Sequence, residues 1–237
     1  MKLLSIIIPV FNEENTILEL LSRVIKADSV GLKKEIIVVD DGSTDTTVQK
    51  LKKLSKETKH DIHVICKPKN YGKGAAVRTG ILSSRGDLVI IQDADLEYNP
   101  TDYPKLLAPI LSGDADIVYG SRFKGDGAHR VLYYWHSVMN NMLTTLSNML
   151  TNINLTDMEC CYKVFRGSLI RSIAPKLQSN RFGFEPEVTA RCARLPGVRF
   201  YEVGIRYYGR TYQEGKHIRW HDGVKAIFEI IWYNVVR

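Results

Sequence analysis

The sequence predicts an α/β protein built on a mostly parallel sheet flanked by helices, and three observations lead there. Short apolar runs of strand length recur along the first 120 residues. Stretches with helical spacing of apolar residues separate them, the alternation expected of βαβ units. Clusters of Asp, Gly, Ser and Asn follow the ends of the strands, where open α/β sheets bind ligands.

Leu3 to Val10 is nearly all apolar, as a strand covered on both faces should be. A helical pattern follows with Ile17, Leu20, Leu21, Val24 and Ile25 on one side, capped by Asn12 or Asn15. Glu35 to Asp40 is a second buried strand, ending in Asp40-Asp41-Gly42-Ser43. A helix from about Thr46 to Lys56 and a short strand from Ile62 to Cys66 come next. The glycine-punctuated basic segment Lys69 to Arg78 then runs into a helix. Leu88 to Gln92 is the fourth strand, Tyr103 to Leu111 a helix, and Asp116 to Gly120 a fifth strand leading into Ser121-Arg122.

After Gly127 the texture changes. Val131, Tyr134, Trp135, Val138, Met142, Leu146 and Met149 fall close to helical spacing. Such a stripe ordinarily packs on a sheet, and its aromatic and methionine content also suits a membrane interface. Phe200 to Tyr208 reads as a strand. Asp222 to Val236 closes the chain as an amphipathic helix with Val224, Ile227, Phe228, Ile231 and Val235 on one face. The chain is expected to form one domain, residues 1–122 carrying the ligand-binding strand ends and 123–237 the amphipathic helices.

Composition narrows the classes. The 33 basic and 26 acidic residues give a net charge of +7, which suits anionic partners such as nucleotide phosphates, a lipid phosphate or a membrane surface. No nucleic-acid-binding motif appears. No apolar run approaches the roughly 18 residues of a membrane span, and the Leu3–Val10 run is too short for a signal peptide. Four cysteines without CxxC spacing fit a reducing cytosol. No GxGxxG follows the first strand, which disfavours a dinucleotide-dependent dehydrogenase.

Chemistry concentrates in Asp93, Asp95 and Glu97. Alternate residues of an extended chain share a face, so the three carboxylates converge if the strand continues past Ile91. Their mutual repulsion would then call for a hard divalent ion, Mg²⁺ or Mn²⁺, held together with phosphate oxygens. A solvated acidic turn is the plainer reading of so short a motif.

Five segments occur in a fixed order: Pro9 to Glu13, Val39 to Ser43, Asn70 to Gly74, Asp93-Ala94-Asp95 and Gly120-Ser121-Arg122. With Arg210 and Lys216 downstream, this order resembles the family 2 glycosyltransferases of the GT-A fold. Within them it is similar to the polyprenyl- and dolichyl-phosphate mannose and glucose synthases, over essentially the whole chain. The resemblance implies a nucleotide pocket lined by Pro9, Phe11 and Glu13, with Val39 and Asp41 on the base and ribose. Asp93 and Ala94 would lie against the nucleotide-sugar, and Asp95, with Glu97 and Asp93, would hold Mg²⁺ or Mn²⁺. Arg122 and Arg130 would receive the acceptor phosphate, Arg122 also bordering the donor. Arg210 and Lys216 would belong to a loop closing over the donor phosphates. Asp95, Arg122 and Arg130 are thereby the candidates for catalysis.

The chain departs from the family at Phe11, where Tyr is usual, at Cys160-Cys161 in place of a Ser-Gly or Gly-Ser pair, and at Lys163 in place of Arg. Arg78 lies near the base or on a solvated helix face. The expected activity is transfer of a hexose from UDP-glucose or GDP-mannose to polyprenyl phosphate. It would take place at the cytoplasmic face of a membrane, by peripheral contact or through a membrane partner subunit. Two alternatives stand beside it. One is a soluble transferase acting on a glycan hydroxyl, with Asp157, Glu159 or Glu187 as base; the other is a nucleotide-sugar-binding protein without catalysis.

Overall fold

A computed structural model describes residues 1–125, 131, 133–209 and 220–236, the side chains of 220–222 excepted. Arg130, Arg210 and Lys216 lie outside the described residues. Seven strands form one sheet: β1 (Leu3–Val10), β2 (Lys33–Asp40), β3 (Ile62–Cys66), β4 (Leu88–Ile91), β5 (Ile117–Ser121), β6 (Lys163–Arg166) and β7 (Phe200–Gly204). Their spatial order is β3-β2-β1-β4-β6-β5-β7. Only β6 runs antiparallel to its neighbours, β4 and β5; the other pairs are parallel.

The most apolar strand is the central one. β1 pairs with β2 on one side and β4 on the other, so seven of its eight residues are buried. Leaving β1 the chain turns towards β2, whereas β4 lies on the opposite side. The carboxyl ends of these three strands therefore flank the point where the strand order reverses, which opens a crevice for ligands.

The helices are α1 (Ile17–Lys26), α2 (Thr47–Glu57), α3 (Lys73–Ser83), α4 (Tyr103–Leu111), α5 (Tyr134–Thr151), α6 (Gly167–Ile173), α7 (Phe184–Ala193) and α8 (Trp220–Ile231). α1 begins after Thr16, not after a capping asparagine. Asn12 instead sits at φ 53° and accepts a hydrogen bond from the Thr44 N–H. The sequence did not reveal β6, α6 or α7. β6 is four residues long and opens on a charged Lys163, too little pattern to read. α7 carries Glu185, Pro186 and Glu187 in its first turn, yet all three are buried.

α5 overturns the expectation that its apolar stripe packs on the sheet. Leu143, Thr144 and Ser147 face the core, while Trp135, Val138, Met142 and Met149 are exposed, Trp135 by 77%. α8 and the π-helical turn Trp232–Val236 after it behave alike: Ile230 is buried, whereas Val224, Phe228, Ile231 and Val235 face outward. Among the described residues no helix is long and apolar enough to cross a membrane.

Candidate active site

The donor side of the crevice is built by backbone. Pro9 of β1 lies opposite Val39 of β2, both buried, and forms its floor. Phe11 follows at the rim, 43% exposed, where a base can stack on it. The Glu13 carboxylate accepts from Thr16 Oγ1 at 2.6 Å, and the Glu13 N–H donates to Thr47 Oγ1. Asp40 and Asp41 are both buried. Asp40 Oδ2 accepts from the N–H groups of Gly42 and Ser43, each at 3.1 Å, across a turn in which Gly42 has φ 80°. Asp41 Oδ2 accepts from Tyr71 and Gly72, at 3.0 and 2.6 Å, and Lys67 Nζ stands 3.3 Å from Oδ1. The carboxylate expected on the base and ribose thus pins the 67–72 loop.

That loop explains its glycines. Gly72 has φ 107°, and a Cβ there would stand 2.3 Å from the Asn180 carbonyl oxygen; at Gly74 it would stand 2.6 Å from that of Ser179. The close approach delivers Lys73 to the acidic loop after β4. Its ammonium lies 2.8 and 2.9 Å from the two oxygens of Asp93 and 3.8 Å from Glu185 Oε1. Burial opposes the charge on Lys73, but Asp93 and Glu185 hold its pKa well above the ordinary lysine range. Arg78, four residues beyond Gly74, is half-buried and donates to the Leu177 carbonyl and to Asn180 Oδ1, tying down the facing loop.

The three carboxylates do not converge. β4 ends at Ile91, Leu96 takes φ 64°, and the extended geometry that would align them stops short. Asp93 turns to Lys73. Glu97 accepts from the Tyr207 hydroxyl at 2.8 Å, and Asp95 accepts from the Glu97 N–H at 3.1 Å. Glu35, Asp61 and His63 are the described group of three that meets metal-ligand spacing, and Arg85 already occupies it by pairing with Glu35 and Asp61. The acidic loop therefore fits a hard cation shared between Asp95 and phosphate oxygens, not one caged by three protein carboxylates. Below it Gln92 Oε1 accepts from Tyr103 and Tyr162, and Gln92 Nε2 donates to the Asp93 carbonyl, anchoring the loop from inside.

The acceptor side is built by ion pairs. Arg122, at the end of β5, donates through Nε and Nη2 to the two oxygens of Asp157, both at 2.7 Å. Its backbone N–H and Asn140 complete the contact, and the guanidinium lies 5.3 Å from the Tyr207 ring. A phosphate meeting Arg122 would compete with Asp157 for the guanidinium. Lys163 is fully buried, donating to Glu185 and to the carbonyls of Met158 and Cys160. Glu187 accepts from Arg191 and from the N–H groups of Gln178 and Ser179, a structural role. Of the three carboxylates considered as bases, only Glu159 lacks a hydrogen bond among the described residues, at Oε1. Burial, reinforced by Glu185, pushes its carboxyl up to about 7.

Lys73, Glu185, Asn140 and Tyr207 were not singled out from the sequence. Lys73 lay inside a motif already noted, but only its approach to Asp93 gives it a role. The other three carry no sequence signal.

Residues 5–173 match the family model described as "Glycosyl transferase family 2". The chain belongs to this family. Among curated family relatives, the dodecaprenyl-phosphate galacturonate synthase of Rhizobium johnstonii is 28% identical over 96% of this chain and 64% of its own. The undecaprenyl-phosphate 4-deoxy-4-formamido-L-arabinose transferase of Pseudomonas paraeruginosa is 35% identical over 72% of this chain and 49% of its own. The chain thus spans about half to two-thirds of the length of these relatives. Among solved structures, glucosyl-3-phosphoglycerate synthase from Mycobacterium tuberculosis superposes with a TM-score of 0.73 at 19% identity, covering 98% of this chain and 80% of that one. This confirms the GT-A-like arrangement of a mostly parallel sheet flanked by helices.

Proposed function

We propose that this family 2 chain transfers a hexose from a nucleotide-diphospho-sugar, UDP-glucose or GDP-mannose, to a polyprenyl or dolichyl phosphate. The observation carrying this reading is the crevice at the strand switch point, rimmed by Phe11, the Asp41-pinned loop and the Asp93–Asp95 loop. The names of the curated relatives, two of which act on dodecaprenyl and undecaprenyl phosphate, support the acceptor class.

The chemical problem is departure of a nucleoside diphosphate from an anomeric carbon. Asp95 would hold Mg²⁺ or Mn²⁺; related folds from M. tuberculosis have been crystallised with UDP and either ion. When bound, the cation stabilises charge on the diphosphate. By the resemblance to the family, Arg210 and Lys216 would add positive charge there. A phosphate acceptor is already a nucleophile near neutral pH, so it needs positioning more than a base. Arg130 is the residue proposed to receive it, with Arg122 and Asp157 holding that edge of the site. The engagement of Asp157 and Glu187 in ion pairs agrees with a reaction that needs no carboxylate base. Glu159 is the residue on which a hydroxyl acceptor would depend.

The exposed apolar faces of α5 and α8 support peripheral contact with the inner face of a membrane, directly or through a membrane partner subunit. The test supplies purified protein with UDP-glucose or GDP-mannose, Mn²⁺ or Mg²⁺, and polyprenyl phosphate in detergent. Lipid-linked hexose is expected from one donor, falling at least about 100-fold in Asp95→Asn and in Arg210→Ala. Absence of product from both donors with both metals overturns the reading.

A further inference from the structure

Behind the acidic loop, charges alternate from the end of β4 to the start of α7. Asp93 pairs with Lys73, Lys73 approaches Glu185, and Glu185 pairs with Lys163. Glu159 stands in the field of Glu185, Lys163, Arg122 and Asp157. The side chains of Asp93 and Lys73 keep 17% and 23% of their surface, so this run of charge meets solvent at the donor loop.

Its donors and acceptors do not balance. The cations are committed: Lys73 to Asp93, Lys163 to Glu185 and two carbonyls, Arg122 to Asp157 and Asn140. The acceptors are not. Glu185 is 5% exposed, and its Oε1 has no hydrogen-bond partner among the described residues; Lys73 at 3.8 Å is an ion pair beyond hydrogen-bond reach. Glu159 Oε1 is buried and equally without a described partner. Asp40, Asp41 and Asp102 each carry one such oxygen too. What sets Glu159 and Glu185 apart is that Lys163 pairs with Glu185 while donating to the carbonyls of Met158 and Cys160, on either side of Glu159, which gathers two orphaned oxygens beside the donor loop. Buried polar atoms are nearly always satisfied, and a ligand that brings O–H groups would satisfy both. A ligand bringing a carboxylate would meet the Glu185 carboxylate and, once ionised above about pH 7, that of Glu159, with no uncommitted described cation, so discrimination against it is strongest above that pH.

We propose that Glu159 and Glu185 are specificity-determining acceptors for the hydroxyls of the transferred sugar, selecting a neutral hexose and rejecting a hexuronate. The proposal rests on the glycosyl-transfer reading above and adds the class of sugar. A general-base role for Glu159 would lower turnover and leave donor affinity unchanged, so binding without acceptor distinguishes the two.

The experiment is calorimetric titration, without acceptor and with Mn²⁺, of UDP, UDP-glucose and UDP-glucuronate, with GDP and GDP-mannose in parallel. The wild type is expected to bind the nucleotide-hexose at least tenfold tighter than the hexuronate. Glu159→Ala should weaken the hexose about tenfold, the loss of one hydrogen bond to a charged acceptor, with the bare diphosphate within twofold of wild type. Glu159→Gln should tighten the hexuronate by a similar factor. Equal affinity of the wild type for hexose and hexuronate overturns the proposal while leaving the transferase reading intact, and so does unchanged hexose affinity in Glu159→Ala. Failure of the folded wild type to bind any nucleotide overturns both.

Discussion

The two sides of the crevice neutralise their carboxylates in different ways. On the β1–β2 side the hydrogen bonds come from backbone N–H groups, with Lys67 adding an ion pair to Asp41: Asp40 takes Gly42 and Ser43, and Asp41 takes Tyr71 and Gly72. On the β5–β6 side the partners are side-chain cations: Arg122 on Asp157, Lys163 on Glu185 and Arg191 on Glu187. A backbone-satisfied carboxylate depends on the path of a loop, and hence on the glycines that permit it. A cation-satisfied one depends on a single residue that can be tens of positions away. The first side is therefore sensitive to backbone changes and the second to the removal of charge.

The largest expected effect lies on the cation side. Asp157→Ala leaves the largely buried Arg122 without its counter-charge and should destabilise the protein by about 3–5 kcal/mol in urea denaturation. A loss below about 1 kcal/mol would mean that Arg122 finds other partners and that the contrast between the sides is wrong. Next comes the backbone side. Gly72→Ala puts a Cβ into the Asn180 carbonyl at a φ of 107° and should cost about 1–3 kcal/mol. It should also weaken nucleotide binding, because the displaced loop carries Lys73 and is pinned by Asp41; unchanged nucleotide affinity would uncouple the loop from the site. The smallest effect on stability belongs to the outward faces beyond the crevice. A Phe228→Ser, Val235→Ser double variant should shift the urea-derived stability by no more than about 0.5 kcal/mol per site, yet reduce co-sedimentation with anionic lipid vesicles. A large loss of stability would show that these side chains are packed and not presented.

How much of this was legible varied with the range of the interactions. β1, β2 and β4 could be read nearly to their ends, because burial on both faces of a strand inside the sheet writes itself as an uninterrupted apolar run. That the loops after β1, β2, β4 and β5 gather along one edge of the sheet was legible for a related reason: each begins in a polar cluster at the end of a strand. The alternate spacing of Asp93, Asp95 and Glu97 misled. It presumes an extended backbone, and the chain turns at Leu96 because Tyr207 and Lys73 draw two of the carboxylates apart. The stripe of α5 misled for another reason, since periodicity marks an amphipathic helix without saying which face meets the core.

The sequence by itself determined the parallel strands of the sheet and the family, which rest on local pattern and motif order, and it pointed to the carboxyl edge of the sheet as the place for a site. Only the tertiary structure decided which charges meet. Lys73 and Asp93 are 20 residues apart, and Arg122 and Asp157 are 35 apart. Nothing in a linear pattern selects one cation among 33 for a given carboxylate. That choice falls to packing, because a buried charge is tolerated only where the fold brings a partner within hydrogen-bond reach.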